Sequence, residues 1–319
     1  MRLVRLWCII FVLAVRSCGF VCFRHRLQHH EIVRQRMSSS LSTFDQVRIE
    51  DWRDASQLHA ALCSCQDTEL MPIVRRSLRI LSDAIRIFGV DSIYVSFNGG
   101  KDAVVILHLL RAAAYAATLS NQNESRKPHL VYFDSRGEFN EVRNFVSDTC
   151  SNVSDEFHFH FLNGGFVSGL TELVNQTKPQ PLSFVLGTRQ GDPNSGGQEH
   201  FEPSSDWMPP FMRVNPILDW SYGDVWHFLR YFGLPYCSLY DAGSFLFYQT
   251  SKYLTGYTSL GSQQSTFQNP ALQQEDGTYL PAYELDDFSL ERAGRVEASP
   301  NAGAVRSPGK PPSAARSSS

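Results

Sequence analysis

Residues 95–110, VSFNGGKDAVVILHLL, set a β-branched run, two glycines, a lysine and an aspartate directly before an apolar stretch of helical character. Two glycines let the backbone turn tightly and approach a ligand closely. The helix that follows directs its free N–H groups and the positive end of its dipole back at the same loop. Phosphate is the ligand such a loop suits, although glycine turns between a strand and a helix also arise for structural reasons alone.

The flanking sequence alternates between strand and helix patterns. From Glu69 to Phe88 the apolar residues recur at spacings of three and four, which predicts an amphipathic helix. SIYVSF is then a short buried strand, and Asp102–Thr118 a second helix. HLVYFD (129–134) is a strand ending on an aspartate, and EFNEVRNFVSDTC (138–150) a helix with acids in its first turn. EFHFHFL, GFVSGLTELVNQT and SFVLG continue the alternation, ending at Gly187. SYGDVWHFLRYFG reads as a helix with Ser221 as N-cap and Gly233 past its end. This order predicts an α/β fold: an open, mostly parallel sheet with helices on both faces. Such sheets bind ligands outside the carboxyl ends of their strands. There Asn98–Asp102, Asp134 and Gly187–Pro193 converge.

The converging residues include Lys101 and Asp102 on the glycine turn, Asp134, and Arg189 and Asp192 within GTRQGDP. Backbone N–H groups and cations can hold a polyphosphate, and aspartates can place Mg2+. The pattern GxxxxGK[ST] of a Walker A loop is absent. Composition narrows the class further. With 319 residues, 42% hydrophobic, 19% charged and a formal charge of −3, the chain can build a sizeable core and has no polyanion-binding signature. Nucleic acid is therefore not an expected partner. Seven scattered cysteines do not form a disulfide framework, and Cys63 and Cys65 have no second pair at zinc-site spacing. His158 and His160 share one face of a strand, where packing is the better reading than a metal site.

The ends differ from the middle. Arg2 and Arg5 precede an apolar stretch, Leu6–Val15, too short to span a bilayer but suited to a signal peptide. The basic, serine-rich segment beyond it has a transit-peptide composition. Residues 1–49 are thus expected to direct the protein to an organelle, a plastid or mitochondrion; if Met37 is the start, the protein is cytoplasmic. Residues 297–319, rich in Pro, Gly, Ser and Ala, are expected to be disordered. Residues 50–296 form the expected globular domain, with no stable membrane span and a monomeric state.

The glycine loop is closer to the PP-loop signature SGGxDS, which grips the pyrophosphate of ATP, with NGGKDA in place of its core. Four ordered stretches extend the likeness: FNGGKD (97–102), GTRQGDP (187–193), FMRVNPILDWSYGDVWHFLR (211–230) with LPYCSLYD (234–241), and GYTSLGSQQSTFQNPAL (256–272) with YLPAYELDDFSLERAGR (279–295). On these the chain resembles the eukaryotic FAD synthases, the FMN adenylyltransferases of the PAPS-reductase-like superfamily, with the PP-loop, adenine nucleotide α-hydrolase-like fold.

The resemblance implies ATP and FMN as substrates and Mg2+ held mainly by the ATP phosphates. It implies ATP contacts from Phe97, Asn98, Gly99, Gly100, Lys101, Asp102, Asp134, Gly187 and Arg189. It implies FMN contacts from Arg189, Asp192, Trp207, Arg213, Asp219, Trp220, Arg292 and Arg295, with Asn98, Asp102, Asp192 and Arg292 as the catalytic set. The implied chemistry is in-line attack of the FMN phosphate on the α-phosphorus of ATP, in which positioning and charge neutralisation dominate.

Three departures from the family pattern stand out. Gln190 and Gly191 replace the usual arginine and threonine, DWMPPFMR carries one residue more than usual, and residues 244–256 interrupt a direct YDxG–YTSLGS join. That last stretch is either a surface insertion or an unremoved short intron. A PAPS or APS reductase would carry a cysteine in an ECGxH context, which is absent; a non-catalytic nucleotide- or flavin-binding relative is the other alternative. No molybdopterin-binding-like domain accompanies the synthase motifs, so an FAD-hydrolysing activity attached to that domain is expected to be missing.

Overall fold

The structure is a computed structural model, and it describes residues 49–120, 126–134, 137–163, 165–179, 181–193, 195–241 and 256–296. The leader, the C-terminal tail and all but the last residue of the 244–256 stretch lie outside the described residues.

Helix α1 (Ala55–Cys63) is capped by Asp54, whose carboxylate accepts from the N–H groups of Ser56 at 2.8 Å and Gln57 at 3.4 Å. Helix α2 (Leu70–Phe88) buries Leu70, Val74, Leu81 and Ala84 along one stripe, the face its spacing predicts. Strand β1 (Ile93–Ser96) leads through the glycine loop into helix α3 (Lys101–Ser120). Strand β2 (His129–Asp134), helix α4 (Asn140–Asn152), strand β3 (His158–Asn163), helix α5 (Phe166–Thr177) and strand β4 (Ser183–Val185) continue the alternation. Strands β5 (Phe201–Pro203) and β6 (Met212–Val214) precede helix α6 (Tyr222–Tyr231). A capping box between Ser221 and Asp224 starts α6, and Gly233, at φ +63, follows its end.

The six strands lie in the order β3-β2-β1-β4-β6-β5. All pairings are parallel except β5 with β6. Alternation along the strands sends Tyr94, Val131, Leu162 and Phe184 to one face, where they meet Leu170, Leu173 and Val174 of α5. Ile93, Val95 and Leu130 point to the other face and are fully buried, so that face is covered too. Helix α3 runs against β1, α1 and α2. By length and composition α3 could cross a membrane, yet most of it is buried inside the domain.

Strand β3 lies at an edge of the sheet, and the histidines there pack as expected of a strand face. Among the described residues, no group of three or more His, Cys, Asp or Glu could hold a metal ion. His129 Nδ1 lies 2.8 Å from His160 Nε2, its ring stacks on Tyr94 at 4.2 Å, and His158 sits 5.1 Å away. Burial, with His160 and His158 beside it, pulls the His129 pKa down from 6.5 to about 4. A depressed histidine pKa means that the unfolded chain takes up a proton where the folded one does not. Stability is therefore expected to fall as pH drops from 6.5 towards 4, by roughly 1–2 kcal/mol once solvent screening is allowed for. Urea midpoints of the wild type and His129→Phe across that range would show it. An equal pH slope in both would remove His129 as the cause.

Among the described residues after α6 the chain runs through short 3-10 turns, without a long helix or strand. Asn269, fully buried, organises this region: its Nδ2 donates to Thr258 Oγ1 and to the Leu290 carbonyl, both at 2.8 Å, and its Oδ1 accepts from Ala271 N–H at 2.9 Å. Its own N–H donates to the Gly256 carbonyl at 2.7 Å. Gly256, at φ +87, closes against Tyr279, so the glycine at the end of the 244–256 stretch belongs to this network.

Candidate active site

The order of strand addition reverses between β1 and β4: from β1 it runs outward to β2 and β3, from β4 outward to β6 on the other side. A crevice at the carboxyl ends opens at such a switch point. Both loops that bound it are built on glycine. Gly99 has φ +72, and a Cβ there would meet Val146 and Val142 of α4 at 3.0 and 3.1 Å. Asn98 Oδ1 accepts from Gly100 N–H at 3.0 Å and braces the turn before α3. Across the crevice, a Cβ on Gly187 would lie 3.1 Å from the Asp102 backbone carbon. That close approach sets Arg189 against Asp102.

The result is a charge cluster of two buried cations and three partly buried carboxylates. Lys101, only 2% exposed, lies with its Nζ 3.0 Å from Asp102 Oδ2 and 2.5 Å from Glu291 Oε1. Arg189 Nε is 2.7 Å from Asp102 Oδ1, and its Nη2 meets both oxygens of Glu291 at 2.6 and 2.7 Å. Asp192 Oδ2 accepts from the Arg189 backbone N–H at 2.8 Å. Two cations thus face three carboxylates. Burial alone would raise the Asp102 pKa, but Lys101 and Arg189 outweigh it and hold the carboxyl below its ordinary value. Asp192 moves the other way: burial, with Asp102 and Glu291 nearby, exceeds its stabilising contact to Arg189. Arg189 is buried, yet Asp102 and Glu291 keep its pKa above the ordinary value, so it stays charged. Tyr240 OH accepts from the Lys101 backbone N–H at 3.2 Å, and Lys101 Nζ sits 5.2 Å from the Tyr222 ring centre.

Glu291 is the residue the sequence reading missed. In ERAGR the cations stand out, yet Lys101 and Arg189, once buried, each require a carboxylate, which Glu291 supplies. Glu291 is held by its backbone, whose carbonyl accepts from Thr258 Oγ1 at 2.6 Å.

Other residues that the resemblance implies sit outside the charge cluster. Phe97 is buried against Phe145 and donates its N–H to Val131 O at 2.9 Å, so it extends β1 and offers no side chain to a nucleotide. Trp220, 2% exposed, donates Nε1 to Ser77 Oγ at 3.1 Å and packs edge-on to Phe228; it is core, not a flavin face. Asp219 is taken by Arg76 in an ion pair. Arg213 is held on the β5–β6 edge by Pro203 O and Ser205 Oγ. Asp134 pairs with Arg143 at 3.2 Å and lines a separate cavity of about 500 Å3 with Tyr132, Cys150, Phe159 and Phe161. None of the five charge-cluster residues lines that cavity. Trp207 is 71% exposed.

Arg292 is exposed and near Arg295, without an ion pair among the described residues. Arg295 donates Nη1 to Leu260 O at 2.8 Å and packs over Gly261, while its buried Nε has no partner.

Residues 167–268 match the family model for the phosphoadenosine phosphosulfate reductase domain. A probable FAD synthase of Schizosaccharomyces pombe is 35% identical over 221 residues, 69% of this chain and 77% of that protein. A probable FAD synthase of Caenorhabditis elegans is 35% identical over 229 residues, which cover 68% of this chain and 39% of that longer protein. A solved structure of Candida glabrata FMN adenylyltransferase, in complex with FAD and inorganic pyrophosphate, superposes with a TM-score of 0.66 at 20% identity, covering 79% of this chain and 98% of that one. Sheet order, switch-point loops and this likeness define an α/β domain with the PAPS-reductase-like fold. The chain belongs to the FAD synthase family, enzymes of the nucleotidyltransferase type.

Proposed function

We infer that the crevice between β1 and β4 transfers AMP from ATP to FMN. A phosphate oxygen of FMN attacks the α-phosphorus, the bond from that phosphorus to the bridging oxygen breaks, and pyrophosphate leaves. The charge cluster of Lys101, Asp102, Arg189, Asp192 and Glu291 supports this reading most directly. It sets permanently charged groups at strand ends where a triphosphate would lie, in surroundings that strengthen their field. The FMN phosphate is already ionised near neutral pH, so the residues need to bind and orient rather than remove a proton. Lys101 and Arg189 would meet the phosphates, the turn at Asn98–Gly100 would let them approach closely, and exposed Arg292 would meet FMN.

The residues also fit Mg2+. Asp102 Oδ1 is buried and, although close to Arg189 Nε, is not aligned for a hydrogen bond; Asp192 lies beside the same arginine. These two carboxylates with the ATP phosphates would hold the ion, which neutralises phosphate charge when bound.

A reductase reading is disfavoured by Cys237, fully buried with its thiol pushed up to about 11 by burial. The test is incubation of the purified protein with FMN, ATP and Mg2+. Equal amounts of FAD and pyrophosphate are expected, and chelation of Mg2+ should stop their formation. ATP and FMN binding without FAD would favour a non-catalytic flavin-binding relative.

The same reading takes residues 50–296 as the catalytic domain, acting as a monomer without a membrane span. It takes residues 1–49 as an organelle address. A compact unit that begins at Ile49 and the burial of α3 support it. A fluorescent protein fused behind residues 1–49 that stays in the cytosol would overturn the address.

A further inference from the structure

The charge cluster leaves no cation free. Lys101 is engaged by Asp102 and Glu291, and Arg189 by Asp102 and both oxygens of Glu291. A triphosphate that uses these cations has to take them from a carboxylate. Three carboxylates are present, and they are not equally replaceable. Asp102 sits in the first turn of α3, its backbone pressed against Gly187. Asp192 is tied to the Arg189 backbone N–H at 2.8 Å inside its own short loop. Glu291 enters from the distant C-terminal region, and among the described residues its oxygens meet the two cations alone. Both its oxygens accept from Arg189 Nη2, and Oε1 also accepts from Lys101 Nζ, so it spans the two cations as an anionic phosphate oxygen would.

We propose that the Glu291 carboxylate holds the place of nucleotide phosphate in the empty site and is exchanged for it when ATP binds. This rests on the reading of the crevice as an ATP site. The exchange is a side-chain rotation. Its backbone stays, because Thr258 Oγ1 holds the Glu291 carbonyl and Asn269 Nδ2 holds that of Leu290. Glu291 is thereby a specificity-determining residue: it supplies the second carboxylate to two buried cations that otherwise share Asp102, and only a ligand rich in negative charge displaces it. A nucleoside without phosphates gains nothing from the exchange.

Titration calorimetry on the full chain tests this with ATP, inorganic pyrophosphate and adenosine as probes. Glu291→Gln is expected to bind ATP and pyrophosphate about tenfold more tightly, with adenosine unchanged, since a competing charge-assisted contact has been removed. Turnover should fall in the same variant, because tighter pyrophosphate leaves more slowly. Equal or weaker binding of ATP and pyrophosphate would show that Glu291 supports the cations instead of competing for them, and would overturn the proposal. If circular dichroism shows that Glu291→Gln does not fold, Glu291→Asp carries the test. Its shorter carboxylate should tighten ATP about two- to threefold, and equal or weaker binding would again refute the exchange. A wild type that binds ATP but forms no FAD would defeat the adenylyl-transfer reading while leaving this result interpretable.

Discussion

Arg189→Lys is expected to fold and to lose FAD synthesis by about 10²-fold or more. The substitution keeps the charge and discards the fork. Arg189 reaches Asp102 through Nε at 2.7 Å and both Glu291 oxygens through Nη2, contacts that diverge from one planar group. A lysine ammonium can occupy one of those positions but not both. A transition state whose charge spreads over several phosphate oxygens needs donors fixed in more than one direction. The buried charge balance survives, so the melting temperature should stay within a few degrees of wild type. Arg189→Met separates the two effects: it strands Asp102 and Glu291 beside a single cation and should cost about 3–5 kcal/mol of stability. Steady-state kinetics and thermal unfolding of both variants decide the matter. Near wild-type turnover in the lysine variant would mean that the fork is not used.

Gly294→Ala should disable the enzyme from the opposite end of the chain. A Cβ at Gly294 would strike the Phe267 carbonyl oxygen and lie 3.3 Å from Asn269 N. Both obstacles are backbone, so no rotamer change relieves them. The same glycine accepts from Phe267 N–H at 2.7 Å, and Thr266 bridges to Arg295 beside it. Forcing this contact apart should cost about 1–3 kcal/mol. It should also pull Glu291 away from Lys101 and Arg189 and shift its neighbours Arg292 and Arg295 with it. FAD formation is expected to drop at least about tenfold, with a higher KM for FMN, while far-UV circular dichroism of the helical domain is retained. Gly277→Ala is the control. Its φ of +79 makes alanine strained, but nothing lies within 4 Å of the new Cβ, so turnover should not change. Wild-type KM for FMN and unchanged melting in Gly294→Ala would show that the junction is not held this way.

Much of the domain was legible because local and global signals agree in it. The strand at 129–134 and the helix capped by Ser221 emerge where periodicity and capping chemistry place them. Strands β5 and β6 escaped, since three residues carry no measurable alternation and their pairing is set by what lies beside them in space. Helix α1 follows the low-acid leader in sequence, and its contacts to α3 have no local sequence signal. At the site, the glycine loop and Arg189 were readable from residue type and spacing. Glu291 was not, because a charge partner 102 residues from Arg189 and 190 from Lys101 leaves no mark in either neighbourhood. Trp220 and Phe97 show the converse: motif membership cannot distinguish an aromatic that faces a ligand from one that fills the core.

Those long separations bear on the birth of the protein. Lys101, Arg189 and Glu291 leave the ribosome in that order, with most of the domain translated between the first and the last. Closing so long a loop costs entropy that only the finished contacts return, so the final tie forms late. Until Glu291 arrives, Lys101 and Arg189 have only Asp102 and Asp192 to shield them. Between the translation of Arg189 and that of Glu291 the pocket has two carboxylates against its two cations in place of three, so its cations are less shielded from cellular polyanions than in the finished protein.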